Sequence, residues 1–269
     1  MKLSFSTLGC PDWSFQTILE NASRMGYEGL EIRGIENEMD ISKIPYFKPE
    51  NWPETAKKLE AHGLQIMNLG TSASFHDEAR WEAALSEAKT AIDVAHRIGV
   101  PYIRLFGDAL PDPEKREETL KRIAKGWTEV YRYSEGTGVT PLVEVHGQFN
   151  NVEIFKEIFK YFNHPKFAVV WDIEHSYKVY ERDFVEFFGF IRKYVRHVHI
   201  KDTKKVDGQW KLQNIGEGEI PIPLHVRLLA ATNYDGFLSL EWEKKWHPEL
   251  ADCSEVFPWY VTYMKKILY

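Results

Sequence analysis

Cysteine is scarce in this chain: Cys10 and Cys253 are the only two among 269 residues. Two isolated thiols form no disulfide framework and fit a reducing compartment. A chain of this length buries most of its apolar surface on folding and needs no such staples. Long hydrophobic runs are absent as well. No stretch approaches the ~18 consecutive apolar residues of a membrane span, so no membrane partner is expected. The opening MKLSFSTLGCPDWSF has no long apolar run either, so no signal peptide is expected, and the reading is cytoplasmic. Positive charge is in deficit. Against 40 Asp and Glu stand 34 Lys and Arg, a formal net charge of −6. Phosphate backbones demand a basic face, so no nucleic-acid partner is expected. Linkers, low-complexity runs and breaks in composition are also missing, and one domain over residues 1–269 is the simplest reading.

What the chain does have is alternation. Eight β-rich runs lie at 3–7, 30–34, 65–70, 102–107, 141–147, 167–172, 196–202 and 237–243. Longer helical stretches lie at 14–25, 51–62, 77–98, 114–135, 151–161, 182–193, 222–232 and 255–267. Asn150 and Asp183 are candidate helix N-caps. Gly26, Gly63, Gly99 and Gly138 are candidate C-terminal caps. Strands alternating with helices imply a parallel sheet. Eight such units at this length predict an α/β fold closed into a (β/α)₈ barrel, the TIM barrel. The nine Trp fit a large core or an aromatic-lined pocket; Trp13, Phe75 and Trp246 are candidates for its walls.

In such a barrel, functional side chains sit where the strands end, on the C-terminal face. The last four strands carry Glu144, Asp172, His199 and Glu241 at those ends. Side chains alternate along a strand. Glu144 therefore shares a face with Leu142 and His146, His199 with His197 and Lys201, and Glu241 with Ser239 and Glu243. Three carboxylates and an imidazole suit Mn²⁺, Mg²⁺, Co²⁺ or Zn²⁺ without selecting among them. Buried together without a cation, such groups would repel. The pattern alone leaves open a metal site and a set of salt-bridged core groups.

At these residues the chain resembles the xylose-isomerase-like barrel superfamily of sugar isomerases and epimerases. That superfamily also holds inosose isomerases and dehydratases and an AP endonuclease branch. The runs LVEVHG, WDIEH, HVHIKD, NIGEGEIPIP and LSLEWE carry the resemblance in order, and YEGLEIR and YIRLFG extend it to the early strands. The resemblance implies that Glu144, Asp172, His199 and Glu241 bind one divalent metal ion. It implies that His175 donates a hydrogen bond to a substrate oxygen, and that His197, one step deeper, is a core or supporting group. Lys205 is the nearest match to a basic substrate contact, with Lys201 as the alternative. Arg104 matches a family position, as a substrate contact or as a structural salt-bridge partner. The Asp-x-His of the nuclease branch falls at Trp210 and Leu212, so no cleavage of abasic DNA is expected.

The chemistry this implies starts from a metal-stabilised enediolate. Glu144 and Glu241, on strands five and eight, are the candidate acid/base pair on opposite faces of the reacting carbon. The expected function is isomerase or epimerase action on a ketose, keto-polyol or related sugar, phosphorylated or not. The alternatives are a metal-dependent dehydratase of an inosose or keto-acid, and a non-catalytic sugar-binding barrel. The oligomeric state stays open, a homo-oligomer included.

Overall fold

The computed structural model describes residues 1–107 and 109–268. Its parallel strands close into a barrel in the order β1-β10-β7-β6-β5-β4-β3-β2, with β8 and β9 forming a separate two-stranded sheet. The strands are β1 Lys2–Ser6, β2 Gly29–Ile32, β3 Gln65–Ser74, β4 Tyr102–Phe106, β5 Thr140–Glu144, β6 Val169–Asp172, β7 Val195–Ile200, β8 Asp202–Val206, β9 Gln209–Gln213 and β10 Phe237–Leu240. The helices are α1 Phe15–Met25, α2 Trp52–Ala61, α3 Trp81–Ile98, α4 Arg116–Ser134, α5 Val152–Ile158, α6 Ile173–Tyr180, α7 Phe184–Ile191, α8 Ile222–Ala231 and α9 Cys253–Leu268. Among the described residues no helix is long and apolar enough to cross a membrane. Both thiols are buried and free.

Backbone contacts divide the chain into two compact units, Met1–Met67 with His197–Tyr269, and Asn68–Arg196. In the first unit the core gathers around Phe5, whose ring lies 4.8 Å from Tyr27 and 4.3 Å from Phe257. Tyr27 and Tyr260 donate their hydroxyls to the carbonyls of Phe257 and Leu238, so neither buried phenol lacks an acceptor. In the second unit Trp127 is wholly buried, with the rings of Phe149, Phe162 and Phe167 5.4–6.0 Å away.

Local chemistry explains the ends of the elements. Ser14 caps α1 by accepting from Thr17 N, and Gly26 closes that helix in the left-handed region. Gly99 does the same for α3. Gly63 falls one residue beyond the α2 cap, and Gly138 lies well past the end of α4. Asn151, not Asn150, caps α5, and the Asn150 side chain instead donates to the His175 carbonyl. Asp183 stands at the start of α7 but its side chain makes no capping bond.

Two elements depart from the sequence reading. Helix α6 starts directly at the end of β6, with no loop between them to mark it. The segment 202–213 folds as a hairpin around Asp207 and Gly208, both at positive φ. Asp-Gly between two alternating runs is the usual signal for that turn.

Gly126 lies inside α4, where glycine costs ~1 kcal/mol relative to alanine. The Phe75 ring explains its presence. A Cβ at residue 126 would meet Phe75 atoms at 2.2 and 2.3 Å. Phe75 is wholly buried and packs edge-on to Trp81 as well. Gly126→Ala should therefore destabilise the protein by ~1–3 kcal/mol, against helix propensity. Urea unfolding checks this, and a raised midpoint would refute the packing account.

Candidate metal centre

In the unit of residues 68–196, Glu144 is the last residue of β5 and is buried. The strand register sets Phe106 beside Glu144 and Arg104 beside Leu142. Arg104 leans along the strand so that its Nη1 lies 2.9 Å from Glu144 Oε2. Its Nη2 donates to the Thr71 carbonyl at 3.0 Å, and its plane lies 4.4 Å from the Phe106 ring centroid. Both partners of this ion pair are buried, so neither charge is left to the low dielectric alone. His146, two residues past Glu144, sits edge-on to Phe106 and 4.2 Å from the His175 ring.

Asp172 ends β6 and also caps α6. Its Oδ1 accepts from Glu174 N at 2.8 Å and His175 N at 3.2 Å. Those two bonds fix the carboxylate and point Oδ2 elsewhere. His175 follows one turn later, half-buried, with Nε2 3.9 Å from Oδ2. The Asp-x-x-His spacing is thus the first turn of a helix. Glu174 is buried and pairs with Lys178 at 2.5 Å.

In the other unit, Ser239 of β10 pairs in register with His199 of β7. Each strand alternates its side chains, so Glu241 and Lys201, two residues further on, fall side by side. Glu241 Oε2 lies 2.7 Å from Lys201 Nζ and 3.1 Å from His199 Nδ1. Lys201 is buried and also reaches Glu243 at 2.6 Å. His199 Nε2 lies 2.9 Å from Glu31 Oε2, and His197 Nε2 lies 2.8 Å from the same oxygen. Burial alone would raise the Glu31 carboxyl, but the His199 and His197 imidazoles overcome it and hold it well below the usual carboxylate range. In the sequence Glu31 lies within the strand run 30–34, with nothing local to mark these partners. Its role depends on a pairing between residues more than 160 positions apart.

Glu144 and Asp172 are buried in the one unit, and His199 and Glu241 are buried in the other, all four with metal-competent donor atoms. Three carboxylate donors and one imidazole form an oxygen-rich set that fits a hard or borderline divalent ion. Of the two expected basic contacts, Lys201 stands beside Glu241, whereas Lys205 is exposed on the hairpin with Nζ 5.6 Å from the Trp210 ring centroid. Trp246 is exposed, and Trp13 packs edge-on to Phe257.

The Gly-x-Gly segment at 216–218 has an internal partner. Asp202 Oδ2 accepts from Gly216 N at 2.8 Å and Gly218 N at 3.0 Å. Its Oδ1 accepts from Thr203 N at 2.9 Å and Ile220 N at 3.2 Å. Burial raises the Asp202 carboxyl, while the amides of Gly218, Gly216, Ile220 and Thr203 pull it down. The glycines let the backbone wrap this carboxylate closely. A Cβ on residue 218 would lie 2.1 Å from Asp202 Oδ1. Gly218→Ala should cost ~1–3 kcal/mol of stability and speed amide exchange at Gly216, Gly218 and Ile220. Unchanged exchange at those three amides would contradict the arrangement.

A closed barrel of eight parallel strands defines the TIM-barrel class of folds. Within that class the chain belongs to the xylose isomerase-like TIM barrel family, whose model matches residues 19–259. No curated protein matches the sequence. Solved structures of similar fold include the probable 3-DHS dehydratase AsbF of Bacillus anthracis, with TM-score 0.80 and 18% identity over 98% of this chain and 99% of that one. A D-tagatose 3-epimerase-like protein gives TM-score 0.77 and 19% identity over 100% and 97%. The IOLI protein with a bound zinc atom gives TM-score 0.76 and 20% identity over 99% and 98%.

Proposed function

We propose that this protein is a divalent-metal-dependent isomerase or epimerase acting on a ketose, keto-polyol or related sugar. The observation that carries the reading is that Glu144, Asp172, His199 and Glu241 are all buried, at or beside the C-terminal ends of β5, β6, β7 and β10. An epimerase-like protein and a zinc-holding protein among the similar folds support it. These four residues would hold the ion. When bound, it supplies Lewis-acid polarisation of two adjacent substrate oxygens.

The chain's own residues do the rest. Glu144 and Glu241 are the acid/base pair: one carboxylate takes a proton from the carbon beside the carbonyl, and the other returns a proton to the opposite face. Each has a buried cation at its side, Arg104 for Glu144 and Lys201 for Glu241. The carboxylate that accepts must enter ionised and the one that returns a proton must enter protonated, so the two act in complementary states. His175 donates a hydrogen bond to a substrate oxygen. Lys201, rather than the exposed Lys205, is the basic side chain assigned to the substrate, together with Arg104.

The second reading is a dehydratase. A probable dehydratase among the similar folds supports it. Ultraviolet absorbance from a product enone marks this outcome, and proton exchange without absorbance marks the first.

Two measurements check the site. Purified protein should carry about one divalent ion per chain, and His199→Ala and Asp172→Ala should lose it. Unchanged occupancy in both variants would sink the assignment. The other test is solvent deuterium exchange into a panel of ketoses. A single positioned acid/base group is worth ~10²–10⁴ in rate, so Glu144→Gln and Glu241→Gln should each slow exchange by at least that range under saturating metal. If one variant is dead and the other exchanges at the wild-type rate, the two-base model fails and a one-base isomerase replaces it.

A further inference from the structure

We propose that Glu31 is a positioning residue: it fixes the imidazoles of His197 and His199 through Nε2 and so presents His199 to the metal through Nδ1. This rests on the metal reading above.

The argument starts from donor and acceptor counts. An ionised carboxylate only accepts hydrogen bonds, and a neutral imidazole has one N–H and one lone pair. Glu31 is wholly buried, as are His197 and His199. Its Oε2 lies 2.8 Å from His197 Nε2 and 2.9 Å from His199 Nε2, and its Oε1 lies 3.1 Å from His199 Nε2. At those distances both Nε2 atoms must carry the hydrogen. The lone pair of each neutral ring is then on Nδ1. In His199 that atom faces Glu241 Oε2 at 3.1 Å. Lys201 Nζ, 2.7 Å from the same oxygen, offsets the repulsion between that lone pair and the carboxylate, and Glu241 is among the residues proposed to hold the ion.

His197 gives the arrangement its stiffness. It lies two residues before His199 on β7, so both rings leave the strand on one face. Their planes stand at 86° and their centroids are 5.6 Å apart. One carboxylate bridging two rings at different angles has no free rotation left. Glu31 itself is anchored in β2, where it pairs in register with Ser6. The sequence distance between Glu31 and its partners hides this relation, which exists only once the strands assemble.

The test uses Co²⁺ as probe. Calorimetric titration should give a Glu31→Gln variant ~10–100-fold weaker in Co²⁺ affinity than wild type, the usual cost of losing a carboxylate behind a ligating histidine. The amide keeps one accepting oxygen but loses the negative charge, and it turns an NH₂ donor toward His199 Nε2 where Oε1 stood. The visible absorption of the cobalt complex should change as well, which a loss of packing alone would not produce. His197→Gln, whose amide still donates to Glu31, should keep the wild-type spectrum. Imidazole ¹⁵N shifts of the metal-free wild type read the tautomer without any variant, and hydrogen on Nε2 of both rings is expected. Wild-type affinity and spectrum in Glu31→Gln would overturn the inference while leaving the metal reading intact. So would a His199 carrying its hydrogen on Nδ1 alone. A wild type that takes up no Co²⁺ would overturn the metal reading, and the role of Glu31 with it.

Discussion

Burying charge requires an answer for every charge, and this structure depends on meeting that requirement at the ends of its strands. An isolated ionised carboxylate in low dielectric is not tolerated. Here Glu31 is met by two imidazoles, Glu144 by Arg104, Glu241 by Lys201, and Asp202 by four backbone amides. Removing one partner of such a pair costs ~3–5 kcal/mol, because the other is left buried and alone. The same pairing that permits burial also holds each side chain in one place. Position and ionisation are therefore set together, and both are what acid/base and metal chemistry need.

The backbone contributes through economy of segments. Asp172 ends a strand, caps a helix and stands among the metal-competent groups. Its two capping bonds orient one oxygen and thereby the other. Asp202 follows β7 by two residues and gathers the loop that leads to α8. The Gly-x-Gly run, which in other folds cradles a phosphate, here wraps a carboxylate of its own chain. The hairpin between them carries Lys205 outward into solvent, while Lys201, four residues earlier, turns inward to Glu241.

Much of this was legible in the residues. The eight strand runs and the period-two phasing of His197, His199 and Lys201 follow from local physics, because a strand's side chains alternate whatever surrounds it. Helix α6 was not legible: it is short, starts without a loop, and its first turn is occupied by the Asp-x-x-His residues. The hairpin carries its own local signal, Asp207-Gly208 between alternating runs. Asn150 and Asn151 are neighbours of the same type, and only backbone geometry decides which one caps α5.

The sequence by itself determined the barrel class and the absence of a membrane-length apolar run. Each of these depends on residue type and on periods of two or about four, which are local properties of the chain. Only the tertiary structure decided who answers whom: Arg104 as the partner of Glu144, Lys201 rather than Lys205 beside Glu241, and Glu31 beneath both histidines of β7. These are pairings between separate strands. Strand register fixes them, and register is settled by how the whole core packs, not by any one segment.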